Sequence, residues 1–106
     1  MLELRDKDKN AIIQIAIQSL GNNTEVWAYG SRVKGSSHEA SDLDLVIKTP
    51  SNDPLLPKQL AKFKLELQES NIPINVQSLD WNAIPENFKK NILMNYEVLI
   101  GGNEVA

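Results

Sequence analysis

Two aspartates, Asp42 and Asp44, stand two residues apart at the head of an apolar run, Asp42-Leu43-Asp44-Leu45-Val46-Ile47. The run reads as a strand. Alternate strand side chains share a face, so both carboxylates project to one side and Leu43, Leu45 and Ile47 to the other. Aspartate is depleted in strands, and close carboxylates repel until one tends to hold a proton. A divalent cation relieves both problems. Oxygen ligands without thiol or imidazole favour Mg²⁺, or Mn²⁺. Upstream lies Gly30-Ser31-Arg32-Val33-Lys34-Gly35. Gly30 lets the backbone turn with its N–H groups outward, Ser31 adds a hydroxyl, and Gly35 permits a second tight turn. Arg32 and Lys34 place cations beside them. Backbone amides at the start of a short helix suit an anion. A phosphate-holding loop beside a metal-holding acid pair suits a nucleoside triphosphate, with Ser31 and Gly30 on the phosphates.

Each feature alone is commoner as plain structure: a turn, a solvated sheet face, surface charge. The conjunction is rarer. Gly-Ser, ten residues, then Asp-x-Asp arises by chance in about one 100-residue chain in a thousand at ordinary residue frequencies. Composition narrows the field further. With 106 residues the chain has room for one domain, and a net charge of -3 argues against sequence-independent nucleic-acid binding. The absence of cysteine excludes disulfides and thiol catalysis, and the lone His38 excludes a multi-histidine metal site. No stretch approaches the length of a membrane helix, and no secretory leader is evident. The expectation is a cytoplasmic protein without a membrane partner.

The elements that must carry these residues follow from periodicity. Ile12, Ile13, Ala16, Ile17 and Leu20 predict a helix over 8–20, ended by Gly21. Strands are predicted over 25–29, 42–47 and 74–79, and a polar turn over 50–54. Leu56, Leu60, Phe63 and Leu67 predict a helix over 55–69 with Pro57 confined to its first turn. A last helix runs from Pro85 to about Asn95, and 96–100 is either an edge strand or the helix end. Strands interleaved with helices imply an α/β fold, a small mixed β-sheet flanked by helices, in a single domain over 1–106.

The spacing Gly30-Ser31, ten residues, Asp42-x-Asp44 resembles the nucleotidyltransferase superfamily typified by DNA polymerase beta. The wording from Trp27 to Gly35 and from Ser41 to Leu45 is similar to the minimal nucleotidyltransferases (MNT), often antitoxins encoded beside a HEPN-domain toxin. The resemblance extends through Ile72–Trp81 and Phe88–Ile100. It implies the polymerase beta-type fold, ATP as substrate and two Mg²⁺ ions on Asp42 and Asp44. It also implies transfer of AMP to a tyrosine of a HEPN toxin, in a possible hetero-oligomer. Two other functions stay open: an inactive antitoxin that neutralises its toxin by contact, and the nucleotidyltransferase subunit of a small-molecule modifier.

The resemblance also implies a third carboxylate on the next strand, where this chain has Gln77. A glutamine accepts a hydrogen bond but takes no proton near neutral pH. Three accounts of Gln77 are open: a weakened member, a substitution that traps a bound state, or an acceptor activated by a partner's residue. Asp80, three residues on, faces the other side of a regular strand and reads as a capping aspartate. Glu66 and Glu69 read as solvated, Trp27, Tyr29 and Trp81 as packing residues, and His38 as exposed.

Overall fold

The computed structural model describes residues 2–21, 24–35, 42–49 and 57–101. Helix α1 (Asp6–Leu20) leads into β1 (Glu25–Tyr29), a short helix α2 (Ser31–Lys34) and β2 (Leu43–Lys48). Helix α3 (Pro57–Gln68), β3 (Val76–Asp80), a 3-10 turn (Trp81–Ala83), α4 (Glu86–Met94) and β4 (Tyr96–Ile100) follow. The four strands form one sheet in the order β3-β2-β1-β4. β1 runs antiparallel to both β2 and β4, whereas β2 and β3 are parallel. The sheet is therefore mixed, as the interleaved pattern predicts.

Its two faces are covered differently. On one, Ile12, Ala16 and Leu20 of α1 and Phe63 and Leu67 of α3 pack on Val26, Ala28, Leu43, Leu45 and Ile47. A hydrogen bond from the Ser19 hydroxyl to Glu66 Oε2 (2.9 Å) ties α1 to α3. Glu66 is thus an interhelix acceptor, where the sequence alone reads it as solvated. On the other face Ile92 of α4 covers Trp27 and Val46, with Trp81, Ile84 and Phe88 packed around them. The Trp27 ring stacks on Tyr96 at 4.5 Å and meets Trp81 edge-on at 5.5 Å. Lys48 Nζ lies 4.3 Å from the centre of the Trp27 ring, within cation–π range.

Element ends depart from the sequence expectation by small, explicable amounts. α1 starts at Asp6, where Asp6 and Asp8 place negative charge on its first turn and Arg5 pairs with Asp8 at 3.0 Å. β3 starts at Val76, where its pairing with Leu43 of β2 begins. Residues 96–100 are an edge strand, held by β1, not an extension of α4. Asp80 closes β3 as expected, its Oδ1 accepting the Asn82 N–H at 3.1 Å to cap the 3-10 turn. The predicted turn over 50–54, Leu55, Leu56 and His38 lie outside the described residues.

Candidate functional site

The β1–α2 junction positions the loop. Gly30 adopts φ +85° and ψ -158° at the N-cap of α2, a region that is essentially glycine-only. Its carbonyl accepts the N–H groups of Val33 and Lys34, both at 3.0 Å, so a single helical turn starts directly after it. The N–H groups of Ser31 and Arg32 therefore precede the intrahelical ladder. On so short a helix, residues two apart face opposite ways. Arg32 accordingly turns inward: it is buried, and its Nη1 donates to the Glu3 carbonyl at 2.7 Å. The Glu3 N–H donates back to the Arg32 carbonyl at 2.8 Å. Lys34 turns outward and is exposed. The sequence places both cations beside a phosphate tail; the helical turn separates them, directing the Arg32 guanidinium to the N-terminal segment.

The acids meet this loop. A Cβ built on Gly30 would strike the Asp44 carboxylate, with Asp44 Cγ only 3.3 Å away. The carboxylate of Asp44 therefore rests against the glycine of the bend, and any larger residue would displace it. Register carries the site across the sheet: Tyr96 opposes Tyr29, Tyr29 opposes Asp44, and Asp44 opposes Gln77. These four side chains form one row on the face away from α1 and α3. Asp42 stands just before β2 and is exposed. Burial, and then the neighbouring Asp42 charge, hold the Asp44 carboxyl above the usual carboxylate range. Burial, and then the Asp44 charge, push the Tyr29 phenol from 10.0 up to about 12.

The donor set fits a hard cation. Two repelling carboxylates, one partly buried, carry a charge excess that a divalent ion would offset. Mg²⁺ is commonly held by one or two carboxylates together with substrate phosphates. Among the described residues no group of three or more His, Cys, Asp or Glu forms. Gln77, where the resemblance implies a further carboxylate, is in register with Asp44 on the parallel neighbour strand.

A cavity of about 630 Å³ opens from Gly30 and Lys34 toward α4, where Tyr29, Phe88, Asn91 and Asn95 line it. Sequence reasoning does not bring these four together. The signal for Tyr29 is the β1–β2 register. Phe88 and Asn91 lie three residues apart on α4, whereas Asn95 is its C-cap, at φ -163° and ψ 99°, which no helical period reaches.

Comparison with known proteins bears on this geometry. The family described as polymerase beta, nucleotidyltransferase, matches residues 10–105. The chain belongs to this nucleotidyltransferase family. It is 39% identical over 89 residues to the Haemophilus influenzae protein named Probable protein adenylyltransferase MntA, covering 84% of this chain and 76% of that one. Its fold is similar to a chain in a crystal structure of a toxin-antitoxin with AMP-PNP (TM-score 0.74, 19% identity, 91% of this chain and 75% of that chain). It is also similar to one in a structure of tri-AMPylated Shewanella oneidensis HEPN toxin in complex with MNT antitoxin. There the TM-score is 0.71 at 15% identity, over 95% of this chain and 76% of that chain. No helix among the described residues is long and apolar enough to cross a membrane.

Proposed function

We propose that this domain is a Mg²⁺-dependent adenylyltransferase and the antitoxin of a HEPN toxin, moving AMP from ATP to a tyrosine of that partner in the cytoplasm. The observation that carries the reading is the Asp44 carboxylate resting against Gly30, which joins the acid pair to the loop. The similarity to a protein named an adenylyltransferase, and to chains in toxin-antitoxin structures that contain AMP-PNP or an AMPylated toxin, supports the same activity.

In this reading Gly30 and Ser31 hold the triphosphate, Lys34 offsets its charge from the exposed side of α2, and Arg32 keeps α2 in place from beneath. Asp42 and Asp44 would hold the metal ions, which would supply charge neutralisation for an in-line displacement. The tyrosine oxygen bonds to the α-phosphorus, the α–β anhydride bond breaks, pyrophosphate leaves, and the phenolic proton passes to a base. Gln77 cannot be that base. Loss of a general base costs about 10² to 10⁴ in rate.

Gln77 favours a second reading, neutralisation of the toxin by contact alone. One experiment separates the two: ATP labelled at the α-phosphate, Mg²⁺, this chain and its HEPN partner. Slow labelling of the partner, raised about 10²- to 10⁴-fold by Gln77→Asp, is the expected result. A toxin that is silenced while neither form labels it would establish the contact reading.

A further inference from the structure

We propose that the outer edge of β3 and the groove between it and α3 hold the acceptor, as an extended segment of the partner protein that pairs with β3 as an added strand and carries its tyrosine next to an acidic residue. The inference rests on the adenylyltransferase reading and names how its protein substrate is held.

The backbone is the first argument. β3 lies at one end of the sheet, with β2 on its inner side. The Leu43 N–H donates to the Asn75 carbonyl at 2.9 Å, and Leu43 is in register with Val76. Along a strand, residues that bond to one neighbour alternate with residues whose N–H and C=O point the other way. Asn75, Gln77 and Leu79 therefore bond toward β2, and the N–H and C=O groups of Val76 and Ser78 point to the outer edge. Among the described residues no strand pairs with them. Such a row of open groups is a template for an added strand.

The groove is the second. A cavity of about 520 Å³ lies between α3 and this edge, lined by Lys64 and Gln68 of α3 and by Val76 and Ser78 of β3. Ser78 is only 3% exposed, and among the described residues its hydroxyl has no hydrogen-bond partner. A buried hydroxyl left unpaired is costly, and a ligand atom reaching into the cavity satisfies it. Lys64 is exposed, and none of the described residues that line the cavity is acidic. A carboxylate suits this groove.

Register joins the groove to the acids. Gln77 is in register with Asp44, on the row that also carries Tyr29 and Tyr96. Ser78 is in register with Leu45, on the face that α1 and α3 cover. A strand added beside β3 continues both rows: the residue opposite Gln77 faces the acids, and the next one faces the groove. The first stands two strand spacings, about 9 to 10 Å, from Asp44. A tyrosine carries its hydroxyl across most of that distance, whereas serine or threonine keeps its hydroxyl near the backbone. The second, when acidic, meets the Ser78 hydroxyl and Lys64.

Residue-resolved amide exchange of the full chain, alone and in complex with its HEPN partner, tests the pairing. The expected result is that the Val76 and Ser78 amides exchange fast in the chain alone and slowly in the complex, while Gln77 and Leu79 are slow in both. Labelling kinetics on the Gln77→Asp chain test the acceptor role. There Ser78→Ala, which keeps the edge intact, is expected to raise the KM for the partner about 2- to 10-fold, as loss of one hydrogen bond does, with ATP affinity and Tm unchanged. Val76→Pro removes one outward N–H at the first residue of the strand, a position that tolerates proline, and is expected to raise the same KM. Unchanged exchange at Val76 and Ser78 in the complex, or an unchanged KM in both variants, would overturn the added strand while leaving AMP transfer in place. Protection of these amides in the chain alone as its concentration rises would also overturn it, and would make the edge a contact between two copies. Absence of label on the partner with both wild type and Gln77→Asp would overturn the transfer reading, and the acceptor role with it.

Discussion

At Gly30 two independent constraints coincide. The backbone occupies a glycine-only conformation, and the space a Cβ would take is filled by the Asp44 carboxylate. Gly30→Ala is therefore expected to cost about 1 to 3 kcal/mol in chemical denaturation. It should also weaken nucleotide binding, because Asp44 must move to admit the methyl group. Tyr29 supplies a second measurement at this scale. Its phenol ionises at about 12 in the folded protein against an ordinary 10.0. Between those values the unfolded chain loses a proton that the native state keeps. Stability from this group is fully present below pH 10 and is lost as pH rises towards 12. Absorbance titration should show one late-ionising tyrosine that Tyr29→Phe removes. A Tyr29 that titrates at the ordinary value would contradict its burial beside Asp44.

The helical turn of α2 divides two cations that look equivalent in sequence. Arg32 is buried and bonded to the Glu3 carbonyl, while Lys34 is exposed. Arg32→Ala is expected to destabilise the fold by about 1.5 to 3 kcal/mol, as loss of a charged hydrogen bond does. It should also loosen the segment around Glu3, seen as faster amide exchange there. Lys34→Ala is expected to leave stability within about 0.5 kcal/mol and to weaken triphosphate binding. Equal effects of the two variants on stability would contradict the division. The sequence carries the signs of these residues but not their sides. Gly30 predicts the turn, yet whether the next four residues continue as a coil or close as a helix decides where Arg32 points.

Across the whole molecule, the helices and the strands were legible because the apolar periods are strong: Ile12, Ala16 and Leu20 on α1, and Leu43, Leu45 and Ile47 on β2. Asp44 lies on β2, on the face opposite Leu43 and Leu45 that alternation predicts, whereas Asp42 precedes the strand, which starts at Leu43 rather than at 42. What was not legible depends on pairing between distant segments. The opposition of Tyr29 to Asp44 follows from the β1–β2 register, and the placement of Phe88, Asn91 and Asn95 beside Gly30 follows from the packing of α4 on Trp27 of β1. The same holds for Glu66, whose partner Ser19 is 47 residues away. The placement of residues 96–100 also required the sheet, because a short apolar segment beside a helix fits either continuation.

The central claim is that the loop at Gly30 and the acid pair act as one cation-dependent nucleotide site. Titration of the chain with ATP, with and without Mg²⁺, in wild type, Asp42→Asn and Asp44→Asn tests it most directly. The account predicts binding by the wild type that requires Mg²⁺ and is lost in both variants. ATP binding of equal strength in the presence of a chelator, or undiminished in Asp44→Asn, would contradict it.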